Sequence, residues 1–358
     1  MQLLHPHLLN QPFGDPALYV ELKGERSALL FDLGDIATLR VGKILKISRV
    51  FVSHTHMDHF IGFDHLLRLF LARDATLRVY GPQGIINNIK GKLKGYTWNL
   101  VSGYPFILEV AEILKHSMRR VSFVCRDGFK PTPVETAPFN GMVDMNPHYT
   151  VNALHLDHKI TSLAFAMEER FHININKDRL NKLGLPVGPW LRELKDCLWE
   201  GKPDTFKVKI SAHDKPGQEV SRLPLGKLKR EIVSITQGQK IVYVSDCRGT
   251  DDNLRKIIRF AMNADILFCE GSFLSQDRAK AEERGHLTAE QAGFIARQAR
   301  VKVLQIYHFS PRYENCPEAL YKEAKQAFKG KKATHLRTRL RWAGTHKGIR
   351  HKGESVNG

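Results

Sequence analysis

Residues 54–59 read His-Thr-His-Met-Asp-His, and this stretch constrains the fold of the chain more than any other. It follows residues 49–53, Arg-Val-Phe-Val-Ser, which predict a buried β-strand. Imidazole and carboxylate groups are ligands that zinc prefers. His54 and His56 lie two residues apart, so an extended backbone points both side chains toward one ion. Asp58 and His59 follow after a turn and can bind a second ion. The alternative interpretation is a solvated, histidine-rich surface loop.

The composition favours an anionic partner. The 358-residue chain can bury a large core, and it carries 55 Lys and Arg against 37 Asp and Glu, a net charge of +18. Such an excess favours nucleic acid, although a merely soluble basic protein has the same composition. The five cysteines form no Cys-x-x-Cys pair, which argues against a disulfide framework and predicts a cytoplasmic protein. No secretory signal is recognised, and no apolar stretch approaches the ~20 residues that span a membrane.

The apolar pattern predicts strands at residues 17–22, 28–32, 76–80, 121–125, 265–269 and 301–307. Helices are predicted at residues 60–73 and after Thr288, which forms a capping box with Gln291. Residues 85–120 predict mostly helix, strongest over 104–116, and residues 126–148 predict irregular chain. Residues 231–236 and 240–245 predict a hairpin whose second strand delivers Asp246. A carboxylate at that position suits the bridging of two ions.

The pattern His-x-His-x-Asp-His after a hydrophobic strand resembles the signature of the metallo-β-lactamase superfamily. Residues 308–313, His-Phe-Ser-Pro-Arg-Tyr, closely match a motif of its ribonuclease Z branch. The resemblance covers roughly residues 10–325. It implies an α/β fold, the αββα sandwich, with a dinuclear metal centre at one edge. The implied ligands are His54, His56 and His158 for one ion and Asp58, His59 and His308 for the other, with Asp246 bridging them.

Other motifs leave alternatives open. The family's third motif, a His followed four residues later by a Ser, selects His158, but His155 lies only three residues away. The family's first motif has an Asp that supports the metal site, and Asp32 corresponds to it; an Asp that caps a turn is the alternative. The fourth motif usually reads Gly-Asp-Thr, whereas residues 245–247 here read Ser-Asp-Cys.

The resemblance also implies catalytic residues. In ribonuclease Z a Glu and a His from two loops form a dyad that protonates the leaving ribose oxygen, and Glu270 and His286 correspond to them. Their loops read Cys-Glu-Gly-Ser and His-Leu-Thr instead of the family's His-Glu-Ala-Thr and His-Ser-Thr. Asp58 is expected to accept a proton from the attacking water, or to orient it, as well as to bind metal. Arg312 either steadies a phosphate or locks the last loop.

Residues 172–214 resemble the flexible, protruding arm with which ribonuclease Z clamps tRNA. Gly188, Pro189 and Lys195 are the expected substrate contacts, beside an exposed Trp190. An ordinary hairpin insertion is the alternative. Residues 1–328 are predicted to form one domain that contains this arm and an extra insertion at residues 85–148. Residues 329–358 are predicted to be a flexible basic tail.

The function implied by the resemblance is removal of the 3′ trailer from precursor tRNA by a zinc-dependent endoribonuclease through two-metal hydrolysis. Two Zn²⁺ per chain, with Mn²⁺ as a substitute, and a homodimer are expected. The alternative keeps the metal centre but acts on a small anionic ester, a cyclic nucleotide or a lactone. Cys247 and Cys269 keep that alternative open, because the family has other residues there. A third hypothesis is an RNA-binding protein without catalysis. The presence of every metal ligand argues against it.

Overall fold

The computed structural model describes residues 3–211 and 219–330. The strands are, in chain order, β1 Leu4–Leu8, β2 Leu18–Leu22, β3 Ala28–Phe31, β4 Ile47–Phe51, β5 Thr76–Pro82, β6 Ile107–Ile113, β7 Ser117–Val124, β8 Lys130–Pro131, β9 Glu135–Pro138, β10 Met142–Met145, β11 Tyr149–Asp157, β12 Thr161–Glu169, β13 His172–Ile175, β14 Lys207–Ser211, β15 Glu219–Pro224, β16 Val233–Thr236, β17 Lys240–Val244, β18 Ile266–Glu270 and β19 Val303–Tyr307. The helices are α1 Val41–Ile44, α2 Phe63–Phe70, α3 Ile85–Lys94, α4 Lys177–Lys182, α5 Trp190–Trp199, α6 Leu225–Ile232, α7 Asp251–Phe260, α8 Arg278–Arg284, α9 Ala289–Gln298 and α10 Pro317–Phe328.

Two large sheets pack face to face. Within the described residues, β1 to β9 form a nine-stranded sheet, and β10 to β12 with β17 to β19 form a six-stranded sheet. Their facing sides share an aromatic core, in which the Phe31 and Phe51 ring centroids lie 5.0 Å apart and those of Phe51 and Phe165 lie 5.5 Å apart. Rings at these separations add contact energy beyond the burial of their area.

Helices cover the outer side of each sheet. Phe63 and Leu66 of α2 and Ile89 of α3 pack on the nine-stranded sheet. Ile257 of α7 and Ile295 of α9 pack on the six-stranded sheet, and α10 packs against α9. The order helix, sheet, sheet, helix confirms the predicted αββα sandwich. No helix in the described ranges has the length and apolar character that crossing a membrane requires.

The parallel strands place the candidate site. Strands β3 to β6 run parallel to one another, as do β17 to β19. The chain leaving the carboxyl ends of β3, β4, β17 and β19 carries Asp32, His54, Asp246 and His308, and β18 ends on Glu270. Carboxyl ends of parallel strands in one sheet meet at one edge, so the two sheets bring these residues to the same end of the sandwich.

The predicted helix over residues 104–116 is wrong. Residues 107–113 form β6, which pairs in parallel with β5 and antiparallel with β7. Leu108 and Val110 face the helix-covered core, whereas Ala111 and Ile113 face the other sheet. A strand buried on both sides reads as an apolar run that a helix explains equally well. Residues 126–148, for which irregular chain is predicted, contain β8 and β9 of the nine-stranded sheet and β10 of the six-stranded sheet.

The predicted hairpin of residues 231–236 and 240–245 is also wrong. Strand β16 pairs with β13, whereas β17 lies between β12 and β18 in the six-stranded sheet. The turn residues between β16 and β17 thus connect two different sheets. The capping box at α9 is confirmed, because Thr288 and Gln291 exchange side-chain and backbone hydrogen bonds.

The arm is larger than predicted and has its own core. Its root is the β13–β16 pair, so it ends near residue 236 instead of 214. Helices α4 to α6 and the β14–β15 ribbon enclose apolar side chains that include Leu180, Leu194 and Val208. Trp190, predicted to be exposed, is 2% exposed in this core, and its indole N–H donates to the Pro186 carbonyl at 2.8 Å. Residues 212–218 of the arm, and the predicted tail beyond residue 330, lie outside the described residues.

Candidate metal centre

The histidine loop after β4 folds back on itself. His54 is fully buried, with Nδ1 3.0 Å from Ser53 Oγ and Nε2 2.9 Å from His56 Nδ1. A 3₁₀ turn at Met57–His59 then returns the chain, so that the His54 and His59 rings lie 4.2 Å apart. The local sequence thus brings three imidazoles and a carboxylate to one place, as predicted from their spacing.

A first group of ligand atoms comes from three loops. His54, His56, His158 and Asp246 each offer one atom, and these atoms all lie within 4.8 Å of one another. The Nε2 atoms of His54 and His158 are each 3.7 Å from Asp246 Oδ2. Ligands that share one tetrahedral ion at ~2 Å each have separations of this order.

A second group lies on the other side of Asp246. Asp58 Oδ2 is 3.3 Å from His59 Nε2 and 3.2 Å from His308 Nε2. Asp246 reaches this group as well, because its Oδ2 is 3.5 Å from His59 Nε2 and its Oδ1 is 2.9 Å from His308 Nδ1. One carboxylate therefore stands between two ligand groups, which is the position of a bridging ligand.

The pair Glu270 and His286 adjoins both groups. His286 Nδ1 is 3.0 Å from Glu270 Oε2 and 3.9 Å from Asp246 Oδ2. The Glu270 carboxylate also accepts hydrogen bonds from the Cys247 amide and the Ser272 hydroxyl, each at 2.7 Å. These bonds fix Glu270, and it in turn fixes the orientation of the His286 ring.

Asp32 supports the centre from behind. Its buried carboxylate accepts hydrogen bonds from the Ser53 amide and hydroxyl at 2.6 and 2.9 Å, and from the Tyr243 hydroxyl at 2.9 Å. His59 Nδ1 lies 2.9 Å from the same carboxylate, which directs Nε2 toward Asp58 and Asp246. Of the two interpretations of Asp32, these contacts favour support of a metal ligand over capping of a turn.

The unsatisfied atoms of the cluster fit a divalent cation. Among the described residues, His59 Nε2, His308 Nδ1 and Asp246 Oδ1 are buried without a hydrogen-bond partner; the last two approach closely but lack hydrogen-bond geometry. Burying such atoms unpaired is costly. Cations bound by the two groups would give all three atoms a partner. A set of imidazoles and carboxylates suits zinc.

The pKa shifts of the cluster also fit the binding of a cation. Burial, followed by the repulsion of His59, lowers the pKa of His54 to about 2, so its ring is neutral, as metal binding requires. Burial works to lower the pKa of His308, but the Asp246 carboxylate outweighs it and raises that pKa to about 10. Although burial opposes it, His308 and then His59 hold the pKa of Asp246 well below its ordinary value. A cation at His308 would therefore displace a proton on binding.

The remaining predicted residues lie outside the cluster. His155 Nε2 is 3.4 Å from the Ile113 carbonyl oxygen, so His158 joins the cluster and His155 does not. Arg312, on the loop after β19, forms an ion pair at 2.9 Å with Asp277, which lies just before α8. Gly188, Pro189 and Lys195 belong to the arm. A Cβ at Gly188 would collide with the Ser211 carbonyl, which gives this glycine a packing role, and Pro189 precedes the first turn of α5.

Lys195 lies at the root of the arm. It lines a cavity of about 460 Å³ between α5 and the body, together with Arg192, Trp199 and Glu25. Burial lowers the pKa of Lys195, and the Glu169 carboxylate opposes that shift.

Tyr243 is a supporting residue that the sequence motifs do not indicate. It sits in the aromatic core between the sheets and is hydrogen-bonded to Asp32. The available signal was a tyrosine in an otherwise apolar strand, because a buried hydroxyl needs a partner. That partner lies 211 residues away in sequence, and the local pattern does not reveal it.

The chain is similar in sequence to curated ribonuclease Z proteins. It is 27% identical to ribonuclease Z from Deinococcus radiodurans over 318 residues, which cover 87% of this chain and 91% of that protein. It is 29% identical to ribonuclease Z from Archaeoglobus fulgidus over 325 residues, which cover 87% of each. No protein-family model matches the chain. The predicted resemblance to ribonuclease Z is therefore confirmed.

The fold is also found among solved structures. The metallo-β-lactamase fold protein YhfI from Bacillus subtilis superposes with a TM-score of 0.52 at 16% sequence identity, covering 91% of this chain and 95% of that one. At this identity the likeness concerns the fold alone, which is the metallo-β-lactamase sandwich.

Proposed function

We propose that this protein is a zinc-dependent endoribonuclease that removes the 3′ trailer from precursor tRNA. The observation that carries the proposal is the position of Asp246 between two complete ligand groups, with the Glu270–His286 pair beside them. The similarity to ribonuclease Z along 87% of the chain supports the choice of substrate. Manganese is the expected substitute metal, since it accepts the same imidazole and carboxylate ligands.

In this proposal His54, His56 and His158 would hold one ion, Asp58, His59 and His308 would hold the other, and Asp246 would serve both sites. Two divalent ions so held would acidify a water molecule and neutralise charge on the phosphate. Asp58, whose side chain is 40% exposed at the rim of the cluster, accepts a proton from the attacking water or orients it.

The leaving group takes its proton from His286. Water attacks phosphorus, the bond to the ribose 3′ oxygen breaks, and tRNA leaves with a 3′-hydroxyl. Glu270 engages His286 Nδ1 at 3.0 Å, which leaves Nε2 of the ring to donate the proton. Burial works to lower the pKa of His286, but the Glu270 and Asp246 carboxylates outweigh it, so the ring favours the protonated form that a general acid needs.

The arm supplies a second anchor for a folded tRNA. A remote contact positions the scissile bond without taking part in the chemistry. The arm carries 13 Lys and Arg against 8 Asp and Glu over residues 172–236, which suits a phosphate backbone. Gly188, Pro189 and Lys195 remain the proposed contact region, with Gly188 and Pro189 acting through the shape that they give the arm.

The proposal includes a homodimer. Met57, Ile61 and Tyr96 are 77%, 48% and 48% exposed and lie on the histidine loop, just before α2 and just after α3. Exposed apolar side chains of this size are available for contact with a second subunit. All five thiols are free, which suits the cytoplasm as the compartment.

The small-ester alternative rested on Cys247 and Cys269. Both thiols are fully buried in the core beneath α7 and α9, so neither faces a substrate. Within the described residues, no other feature favours an ester, cyclic nucleotide or lactone over RNA.

Incubation with precursor tRNAs tests the proposal. The panel should include transcripts with and without an encoded CCA, and the new 3′ ends should be mapped at nucleotide resolution. We expect one cut after the acceptor stem, loss of activity with a chelator and its return with Zn²⁺, while His155→Ala remains active. Hydrolysis of small esters without cleavage of any precursor would refute the proposed substrate.

A further inference from the structure

Asn253 joins two loops that carry candidate ligands of the same ion. It lies in the first turn of α7 and is 1% exposed. Its Oδ1 accepts a hydrogen bond from the Asp157 amide at 3.1 Å, and its Nδ2 donates to the Asp157 carbonyl at 2.8 Å and to the Arg248 carbonyl at 2.9 Å. One side-chain amide thus satisfies three backbone groups from segments 91 residues apart.

The two loops present two members of the first ligand group, His158 and Asp246. Asp157 immediately precedes His158, and Arg248 follows Asp246 by two residues. The loops also meet directly, because the Arg248 amide donates to the Asp157 carbonyl at 2.8 Å and the Arg248 side chain contacts the Asp157 carboxylate at 3.1 Å. Within the described residues, the hydrogen bonds of Asn253 join it to Asp157, Arg248 and Thr250 and do not reach the loops that carry Asp58, His59 and His308.

We infer that Asn253 is a positioning residue that sets the metal affinity of the His54, His56 and His158 site more strongly than that of the other site, because it holds the loop of His158 as well as the loop of Asp246, which both sites share. This inference rests on the two-ion centre proposed above. A carboxamide is required because the position needs one acceptor and two donors. Residues that orient metal ligands through hydrogen bonds change metal affinity by about 10–100-fold when they are replaced.

Asn253→Asp is the discriminating change. It preserves size and retains an acceptor for the Asp157 amide, but it points a carboxylate oxygen at the Asp157 and Arg248 carbonyls. A carboxylate in the first turn of a helix is favourable, so α7 itself is not weakened. Asp252→Asn is the matched control, since it alters the neighbouring exposed residue of the same turn, which pairs with Lys256 and not with either loop.

The measurement is competition between the purified protein and a chelator for Zn²⁺, which resolves two dissociation constants. His158→Ala and His308→Ala identify which constant belongs to which site. We expect Asn253→Asp to weaken the constant that His158→Ala abolishes by about 10–100-fold and to weaken the other, which shares only Asp246 with the loops that Asn253 holds, by a smaller factor. Asn253→Ala, which removes all three bonds without adding charge, should weaken the same constant, and Asp252→Asn should change neither.

Two outcomes would overturn the inference: unchanged constants in both Asn253 variants, or an equal fall in both constants together with a lower melting temperature. If the wild-type protein binds two ions but cuts no precursor tRNA, the proposed substrate fails while the larger loss in the His158 constant still supports the role of Asn253. If the wild-type protein binds no Zn²⁺, both proposals fail.

Discussion

In three buried histidines, one ring nitrogen contacts a supporting group and the other faces Asp246. His59 directs Nδ1 to Asp32, His158 directs Nδ1 to the Gly285 carbonyl, and His54 directs Nδ1 to the Ser53 hydroxyl. In each ring the opposite nitrogen, Nε2, faces Asp246. Such bonds fix the ring orientation and tautomer before a metal arrives, so the centre is prepared by the fold.

At this scale the acid role of His286 gives the sharpest prediction. His286→Ala should lower the rate of trailer removal by about 10²–10⁴, because the leaving ribose oxygen loses its positioned proton donor. Hydrolysis of a chromogenic phosphodiester with a nitrophenolate leaving group should barely change, since that group departs without a proton. Steady-state rates on both substrates, with metal content as a check, provide the measurement. Equal losses on the two substrates would remove His286 from this role, and His155→Ala is the histidine control.

The same residue sets an expected pH dependence. A general acid acts while it is protonated, and the pKa of His286 is raised. Trailer removal should therefore persist at pH values where an ordinary imidazole has lost its proton, and it should fall as the pH rises through the raised pKa. The His286→Ala enzyme should lack this alkaline decline.

Candidate ligand residues could be predicted from sequence where they follow a strand closely. The spacing at 54–59 places four candidate ligands locally, and Asp246 and His308 follow the mostly apolar strands β17 and β19 closely. The residues that contact their loops could not be predicted, because Asn253 bonds to a loop 96 residues earlier in the chain. The choice of His158 over His155 needed the resemblance, and the structure supplies its reason in the Gly285 contact.

The elements show a different limit of sequence analysis. The apolar pattern of β6 predicts a helix because both faces of this strand are buried. The pattern of β16 predicts the wrong partner because its true partner, β13, lies at the other end of the arm in sequence. Periodicity records which side chains are apolar, not which distant strand pairs with them. Trp190 was expected outside for the same reason, since the core that buries it belongs to the arm alone.

The arm core makes Trp190 the residue on which its shape depends. Trp190→Ala should destabilise the arm by about 3–5 kcal/mol, the usual cost of removing a large buried aromatic side chain. Because this core is separate from the sandwich core, the body should keep its metal and its activity on the small phosphodiester. Limited proteolysis should show cleavage within residues 172–236, and trailer removal should fall.

Val187→Ala is the control for this change. Val187 is 57% exposed on the same segment, so its truncation should cost less than about 0.5 kcal/mol. If Trp190→Ala lowered the metal content as well, the arm and the body would not be independent cores.

For the whole molecule, charge predicts the salt response of binding. The chain carries a net charge of +18, of which residues 172–236 hold five and residues 331–358, with eight Lys and Arg against one Glu, hold seven. Each phosphate contact releases condensed counterions and adds about 0.7–0.9 to the slope of log affinity against log salt. Titration of tRNA at several salt concentrations should give a steep linear decline. A flat response would contradict nucleic acid as the partner.

Removal of the arm separates chemistry from substrate anchoring. The structure sets the cut at residues 172–236, because the Cα atoms of His172 and Thr236 are paired across the root and the Glu169 amide donates to the Gln239 carbonyl at 2.8 Å. Excision at the predicted boundary of 214 would leave α6 without the arm core in which its Leu225, Leu228 and Ile232 pack. A short Gly-Ser linker can join residues 171 and 237, since the two ends already lie side by side.

The shortened protein should bind two metal ions and hydrolyse the small phosphodiester at the full rate, because none of the proposed ligands or the Glu270–His286 pair lies within residues 172–236. It should bind precursor tRNA more weakly, with a smaller salt slope, and remove its trailer very slowly, because the scissile bond loses its remote anchor. A minihelix that carries the acceptor stem and trailer without the tRNA body is the matched substrate, and both proteins should cut it at similar rates. Unchanged processing of full precursor tRNA would deny the arm a role in recognition. Loss of minihelix cleavage together with the small phosphodiester would show instead that the arm supports the centre itself.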